Sequence, residues 1–223
     1  METQPHLIIA NKAYSSWSMR PWLAMRVNQV PFRETVVPLG QDDTAANIRK
    51  YSPAGKVPVL QHGGITVWDS LAILEYLADA FYDRPWWPAD PHARAVARAV
   101  SAEMHSGFMA LRQSMPMNVR KSISTLVRTP EVNADIARVG QIWSECRRQF
   151  GAKAAQPGPF LFGAFSNADA MYAPVATRFK TYNVSLDVEC QAYADAILAL
   201  PAMREWYAAA AKEPMVIAKY ELG

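Results

Sequence analysis

Cysteine is scarce in this chain. Only Cys146 and Cys190 occur among 223 residues, and neither belongs to a C-x-x-C pair. The four histidines also lack the spacing of metal ligands. These absences argue against a structural zinc site and against dithiol redox chemistry, so we expect no metal. Two scattered thiols are more typical of a reducing cytoplasm than of a disulfide framework.

Long apolar runs and clusters of one charge are also missing. No stretch approaches the roughly 20 apolar residues that a membrane span needs, and the first residues lack a charged region before an apolar core. We therefore expect a cytoplasmic protein without a membrane partner. The net charge is only +3, with Lys and Arg scattered. The weak basic cluster at 118–128 is more typical of a solvated helix end, so no nucleic-acid partner is expected.

Hydrophobic residues make up 51% of the chain, which is ample for a core. In the first part, short apolar runs alternate with turn signals. The pattern predicts a strand, a helix, a strand, a two-stranded hairpin and a helix, at residues 7–10, 22–29, 32–39, 57–68 and 70–81. Gly63-Gly64 marks the turn of the hairpin. This order indicates a small sheet covered by helices.

The second part has the period of helices. Three prolines without periodicity in residues 83–94 indicate a boundary, and we predict domains at 1–84 and 92–223 joined by a linker at 85–91. Asp90-Pro91 is a typical helix start, and apolar residues spaced by three and four follow as far as Met115.

More helices follow. Thr129-Pro130 repeats the pattern of a cap followed by proline, and that helix is predicted to stop near Gly151. Ser166 and Asp169 form a capping-box pattern before another helix. The last helices are predicted at about 187–199 and 201–212.

The stretch AYSSWSMRPW, residues 13–22, crowds three serines between a strand and a helix. Serine is a favoured N-cap, and a helix N-terminus also attracts anions. The helix is predicted to begin between Ser16 and Ser18. A start at Ser18 suits Pro21 best, because the missing N–H then matters least.

Four stretches together resemble cytosolic glutathione transferases. PAGKVPVL (53–60) is similar to their glutathione-binding loop with its cis Val-Pro bond, and WDSLAILEYL (68–77) to the acid-Ser motif and helix that follow. SSWSMR (15–20) resembles the SSxSxR pattern of the zeta class, and SNAD (166–169) the capping box of the helical domain. The resemblance covers nearly the whole chain. It implies a thioredoxin-like α/β domain followed by an all-α helical-bundle domain, and a homodimer.

The resemblance also implies how glutathione, the co-substrate, is held. The cis bond before Pro58 would turn the Val57 N–H and C=O toward the cysteinyl backbone. Ser70 would bind the γ-glutamyl carboxylate and Asp69 the ammonium, although relatives often carry the longer Glu or Gln there. Plain helix capping is the alternative for Asp69 and Ser70. Lys56 would reach the glycine carboxylate, and a solvated loop lysine is its alternative.

A serine hydroxyl is the predicted catalytic group. The thiol of glutathione has an ordinary pKa of about 8.5, and a hydrogen bond to the sulfur favours the thiolate. The zeta-like pattern makes Ser15 the catalytic serine, with Ser16 as runner-up and Tyr14 as a third candidate. Trp17 stands where many zeta proteins carry Cys, which weakens a specific assignment to isomerase chemistry.

The electrophile is predicted to bind between the domains. Candidate lining residues are Trp17, Met104, Phe108, Arg112 and Met115, of which about half are expected to be core residues. His105 is interpreted as a structural histidine, and Arg112 suits an anionic substrate or simply faces solvent.

These features favour a glutathione transferase that conjugates the thiolate to an electrophilic small molecule, with detoxification as the implied role. Two alternatives remain open. One is a glutathione-dependent cis-trans isomerase of the maleylacetoacetate kind, and the other is a non-catalytic glutathione-binding module.

Overall fold

The computed structural model describes residues 4–222, so the predicted domain ends at 1–3 and 223 lie outside the described residues. One four-stranded sheet is formed by β1 (His6–Ala10), β2 (Arg33–Val37), β3 (Val59–His62) and β4 (Ile65–Val67). The helices of the first part are α1 (Ser16–Val27), α2 (Thr44–Arg49) and α3 (Ser70–Ala80). Those of the second part are α4 (Pro91–Ser106), α5 (Met109–Ser114), α6 (Pro130–Gln149), α7 (Asn167–Thr181), α8 (Val188–Ala199) and α9 (Pro201–Ala211). An α/β part is therefore followed by a helical part, as predicted.

The sheet is mixed, with strand order β2-β1-β3-β4. Strand β1 pairs in parallel with β2 and antiparallel with β3, and β4 closes the hairpin with β3. The predicted turn at Gly63-Gly64 is confirmed, and both glycines have positive φ, as a type I′ turn requires.

Strand β1 is buried on both faces because helices cover both sides of the sheet. Leu7 and Ile9 face the main core, whereas Ile8 packs with Ile48 of α2 in a second cluster. The sequence analysis missed α2. Its six residues carry a single buried apolar side chain, which is too few to produce a detectable period.

Helix α1 begins at the early end of the predicted range, which ran from Ser16 to Ser18. Its first residue is Ser16 and its N-cap is Ser15, not the favoured start at Ser18 or the periodic run at 22–29. Pro21 therefore lies in the second turn. Nine of the twelve residues of α1 are buried, including Arg20, so the helix is enclosed on most sides. Because the first half of the helix is polar in sequence although it is buried, it shows no helical period of apolar residues.

The single helix predicted to end at Met115 is two helices. The helix is interrupted at Gly107 and Phe108, and Phe108 adopts the left-handed backbone conformation with φ 55°. A Cβ on Gly107 would lie 2.8 Å from the carbonyl oxygen of Glu103. The apolar stripe continues through the break, since Met104, Leu111 and Met115 are all fully buried, and it therefore concealed the interruption.

Helix α7 is the centre of the second part and packs against α1, α4 and α8. The predicted capping box at its start is confirmed: Ser166 caps the helix and Asp169 accepts from the Ser166 backbone N–H at 2.8 Å. Because α7 touches α1 directly, the interface between the two parts of the chain lies beside the serine-rich stretch.

Candidate active site

The serine turn, residues 11–15, connects β1 to α1. Tyr14 and Ser15 donate their backbone N–H groups to the Asn11 carbonyl, at 3.2 and 2.9 Å. Ser15 Oγ accepts from the Ser18 backbone N–H at 3.4 Å and donates to Ser18 Oγ at 2.8 Å. Ser15 thus caps α1 and also places its hydroxyl at the N-terminus of that helix, where the helix dipole favours negative charge.

Ser16 contacts a cation from the other part of the chain. Arg178 of α7 donates from Nη2 to Ser16 Oγ at 3.2 Å. The hydroxyl accepts this bond, so its own hydrogen is available to an acceptor in the cleft. A hydroxyl bound by a guanidinium is also a stronger donor, because the charge draws electrons from its oxygen.

Two arginines beside the serines are buried, and neither forms an ion pair with a carboxylate in the described part of the chain. Arg178 otherwise donates to the carbonyls of Met115 and Pro174, and Arg20 donates to Ser70 Oγ at 3.3 Å. Within residues 4–222, Arg20 Nε has no partner. Burial and neighbouring arginines together lower the pKa of Arg20 to about 9 and that of Arg178 to about 10, and the Asp69 carboxylate opposes part of the shift of Arg20. Buried cations that lack a directly paired carboxylate favour an anionic ligand.

Trp17 lies at the centre of the cleft between the two parts. The guanidinium of Arg20 stacks 4.3 Å from its ring centroid and that of Arg112 lies 5.2 Å away. His105 meets the same ring edge-on at 5.2 Å. Arg112 also donates to the His105 carbonyl at 3.0 Å, so Trp17 and Arg112 form one half-buried, positively charged wall.

Asp69 joins the two parts of the chain. Its Oδ1 accepts from the N–H groups of Leu71 and Ala72, which caps α3, and its Oδ2 accepts from His105 Nε2 at 2.8 Å. Burial lowers the pKa of His105 despite the opposing effect of Asp69. His105 is therefore neutral at pH 7 and anchors the carboxylate as a donor, in line with its interpretation as a structural histidine.

The residues predicted to hold the tripeptide lie in the loop before β3 and at the start of α3. The Val57–Pro58 bond is cis, as the resemblance implied. Ser70 is fully buried, Asp69 is exposed, and Arg20 connects Ser70 to the α1 helix. The Lys56 side chain is exposed, and its backbone N–H donates to Ser52 Oγ at 3.1 Å.

Three of the five residues predicted to line the electrophile pocket lie in the core, where about half were expected. Met104 and Met115 have no exposed surface and Phe108 is 7% exposed, and all three belong to the main core. Their helical spacing indicates burial, and they are core residues because α7 packs against α4 and α6 packs against α5. Trp17 and Arg112 are the two candidates that remain at the cleft.

Tyr14 points away from the cleft. Its hydroxyl donates to Glu221 Oε1 at 2.6 Å and accepts from the Ile217 N–H at 3.3 Å and from Arg120. Burial raises the pKa of Tyr14, and the bond to Glu221 raises it further. Tyr14 is thus bound by the C-terminal segment, and it is a poor candidate for activating a thiol.

The contacts of Arg178 and of the C-terminal segment were missed from the sequence. Ser16 and Arg178 are separated by 162 positions, and no local pattern connects them. The available signal was weak: an arginine within an otherwise apolar helix, three residues before a buried threonine.

Metal and membrane features were also searched among residues 4–222. No group of three or more His, Cys, Asp or Glu side chains is placed to hold a metal ion. No helix in that part of the chain has the length and hydropathy to cross a bilayer. Cys146 and Cys190 are both free and buried.

Comparison with protein families gives two separate matches. Residues 14–80 match the model of the glutathione S-transferase N-terminal domain, and residues 129–209 match that of the glutathione S-transferase C-terminal domain. Together the two models span more than half of the chain and include Ser15, Asp69 and Arg178.

Curated relatives match over shorter stretches. A probable maleylacetoacetate isomerase of Caenorhabditis elegans is 36% identical over 97 residues, which is 44% of this chain and 45% of that protein. Glutathione S-transferase Z2 of Arabidopsis thaliana is 32% identical over 102 residues, covering 44% of this chain and 46% of that protein. The matched region spans about half the length of the curated relatives.

Solved structures match nearly end to end. A glutathione transferase homolog from Burkholderia, solved with bound glutathione, is 20% identical with a TM-score of 0.69, covering 95% of this chain and 100% of that chain. A diazinon-metabolizing glutathione S-transferase of the silkworm Bombyx mori is 18% identical with a TM-score of 0.71, covering 94% and 98%. At these identities the likeness shows a shared fold.

Proposed function

Because the chain belongs to the glutathione S-transferase family, we propose that it binds glutathione, ionises the thiol and joins the sulfur to an electrophilic small molecule. One observation carries this proposal. Two serine hydroxyls lie at the N-terminus of α1 beside Arg178 and Arg20, two buried guanidinium groups that form no ion pair with a carboxylate among residues 4–222. Such a site stabilises a bound thiolate.

The reaction uses the serines as hydrogen-bond donors and forms no bond to them. The thiol proton passes to solvent, the sulfur attacks the electrophilic carbon, and the leaving group departs with its electron pair. The Ser15 hydrogen points to Ser18 Oγ in the described structure and rotates to the sulfur on binding. The Ser16 hydroxyl already accepts from Arg178, so it donates its hydrogen without giving up a bond.

The rest of the tripeptide is held along the sheet edge. In this proposal the Val57 backbone pairs with the cysteinyl unit beside Pro58, and Ser70 takes the γ-glutamyl carboxylate with Arg20 behind it. Asp69 takes the ammonium while His105 keeps the carboxylate in place. Lys56, whose side chain is exposed, reaches the glycine carboxylate.

The electrophile lies against Trp17 and Arg112. The half-buried indole offers an apolar surface, and the two guanidinium groups 4.3 and 5.2 Å from its ring centroid favour substrates that carry a negative charge.

This charge supports a second candidate, a glutathione-dependent cis-trans isomerase. Some relatives are named maleylacetoacetate isomerase, whose dicarboxylate substrate is anionic. There the thiolate adds to one carbon of a double bond, the former double bond rotates as a single bond, and elimination of the thiolate restores the double bond and leaves glutathione unchanged. Consumption of glutathione separates the two reactions, since the transferase uses one thiol per turnover and the isomerase uses none.

The cellular setting follows from the same chemistry. We place the protein in the cytoplasm, where reduced glutathione is abundant and both buried cysteines stay free. Removal of reactive electrophiles there is a detoxifying role. The partly exposed Trp68 and Met109 support a homodimer, which sedimentation equilibrium tests directly.

The decisive experiment is an ultraviolet difference spectrum of saturating glutathione on the protein at pH 7. We expect a thiolate band that weakens in Ser15→Ala and in Ser16→Ala and is unchanged in Ser106→Ala, a surface serine on α4. The larger loss identifies the serine that contacts the sulfur. Full binding without any thiolate band would instead mean a non-catalytic glutathione-binding module.

A further inference from the structure

We propose that the C-terminal segment, residues 213–222, is part of the catalytic apparatus and that Glu213 is the positioning residue through which it acts. Glu213 holds the serine turn in the conformation that presents the Ser15 and Ser16 hydroxyls. The inference rests on the proposed function, because positioning matters only if the turn activates a thiol.

The carboxylate of Glu213 binds the turn backbone with both oxygens. Oε1 accepts from the Lys12 N–H at 2.6 Å and Oε2 accepts from the Ala13 N–H at 2.9 Å. Successive N–H groups that converge in a turn form a binding site for an anion. Here the anion is a side chain of the same protein, 201 positions away along the chain.

The turn cannot satisfy these two donors by itself. Its internal bonds run from the N–H groups of Tyr14 and Ser15 to the Asn11 carbonyl. The N–H groups of Lys12 and Ala13 point outward, and Glu213 is their acceptor. A buried donor left unpaired costs about 1–3 kcal/mol, so the turn would change conformation without this carboxylate.

Further contacts join the turn to the C-terminal segment, to α9 and to Arg120. The Tyr14 hydroxyl donates to Glu221 of the segment. Trp206 of α9 donates its indole N–H to the Lys12 carbonyl at 2.8 Å. Arg120 donates to the Tyr14 hydroxyl and to the carbonyls of Glu213 and Met215, the last two at 2.9 and 3.1 Å. The turn is thus held by the C-terminal segment together with α9 and Arg120.

In Glu213→Gln, the loss of charge and the loss of positioning are expected to shift the thiol pKa in opposite directions. Measuring that pKa therefore distinguishes the two effects. Glu213→Gln keeps the shape of the side chain and removes one negative charge near the turn. By electrostatics alone, this removal favours the thiolate and lowers the thiol pKa. A glutamine, however, offers one acceptor and one NH₂, so at least one turn N–H loses its partner. If Glu213 positions the serines, the thiol pKa therefore rises.

The experiment measures the pH dependence of the thiolate band of bound glutathione in the full chain. In Glu213→Gln we expect the pKa of the bound thiol to rise by about one unit, and kcat/KM with chlorodinitrobenzene to fall roughly tenfold or more, mostly in kcat. Glu205→Gln is the matched control. It removes the same charge from α9 at an exposed pair with Arg26 and leaves the turn untouched.

Amide hydrogen exchange gives a second readout that does not depend on activity. Exchange at Lys12 and Ala13 should accelerate in Glu213→Gln and stay unchanged in Glu205→Gln. Trp206→Phe, which keeps an aromatic six-membered ring and removes the pyrrole ring with its N–H, should shift both readouts in the same direction and serves if Glu213→Gln does not fold.

The outcomes separate two kinds of failure. A thiol pKa that falls or stays constant in Glu213→Gln overturns the positioning role, and so does unchanged exchange at Lys12 and Ala13. A wild-type protein that binds glutathione without a thiolate band overturns the proposed function itself, and the positioning role with it.

Discussion

Asp169 is the buried carboxyl with the most hydrogen bonds in the second part of the chain. It accepts from Leu161, from the Ser166 backbone and hydroxyl, and from the Tyr193 hydroxyl. Burial nevertheless raises its pKa to about 6, because these bonds compensate the loss of hydration only in part. The carboxyl therefore orders the start of α7 and at the same time makes stability depend on pH.

The sign of the pH dependence of stability follows from which state, folded or unfolded, binds the Asp169 proton more tightly. The folded carboxyl has a pKa of about 6, above the ordinary value of 3.8, so the folded state takes up the proton first. Its contribution to stability is complete below about pH 4 and is lost as the pH rises through about 6.

Asp169→Asn, which cannot titrate, removes this contribution. We expect the wild type to be more stable than Asp169→Asn, and the difference in free energy of unfolding to narrow by roughly 2–3 kcal/mol between pH 4 and pH 7. Urea unfolding at several pH values measures it. Asp195→Asn, an exposed site on α8 that contacts Gln191, should show a constant difference. A difference that widens with pH would contradict the raised pKa.

Candidate site residues could be identified from the sequence where their role depends on residues close to them along the chain. Ser15, Ser16, Asp69 and Ser70 stand at helix starts that short patterns reveal, so they were found together. Arg178 and Glu213 were missed because each acts on a residue far away in sequence, through a contact that only the packing of α7 and the C-terminal segment creates.

The break between α4 and α5 shapes the cleft at the scale of elements. It places Arg112 beside Trp17 while Met104 and Met115 stay in the core. Only glycine fits at position 107, because a Cβ there would lie 2.8 Å from the Glu103 carbonyl. Gly140 in α6 is the opposite case, since its Cβ would meet only Cys190 Sγ at 3.8 Å.

This contrast gives a matched pair of substitutions. Gly107→Ala should lower the free energy of unfolding by roughly 1–3 kcal/mol, because the carbonyl of a helical turn must move. Gly140→Ala should raise it by up to ~1 kcal/mol, because alanine favours a helix interior and the space is free. Urea unfolding of the two variants measures both effects. Equal effects of the same sign would mean that the break is not sterically enforced.

Helices were predicted incorrectly or missed where extensive burial, short length or a continuous apolar stripe concealed the helical period or its interruption. Helix α1 is enclosed on most sides and carries polar side chains, α2 is too short, and the stripe of α4 runs on across the break. The hairpin, the capping box and the last two helices were correct because glycine pairs and caps act locally. The predicted limits of the two domains remain predictions.

At the scale of the whole molecule, the proposed site is shared between both parts of the chain. The serine turn and Asp69 come from the first part, and Arg178, Arg112 and His105 from the second. Unfolding of either part would therefore destroy the glutathione site.

Glutathione should accordingly stabilise the entire chain in one transition. At a concentration of 100 times Kd it adds about 2.7 kcal/mol, which raises Tm by roughly 5–10 °C. Differential scanning calorimetry measures the shift, and the same concentration of free cysteine should cause none. Two separate transitions of which only one moves would show that a single part of the chain holds the ligand.

The position of Trp17 gives the protein a built-in optical reporter. Of the other six tryptophans, Trp22, Trp86, Trp143 and Trp206 are buried in the core, whereas Trp17 lies half-buried in the cleft between two guanidinium groups. Any molecule that enters the cleft changes the polarity around this indole and hence the colour and intensity of its emission. Occupancy of the site can therefore be followed without a label, in real time, with a Trp17→Phe protein as the blank.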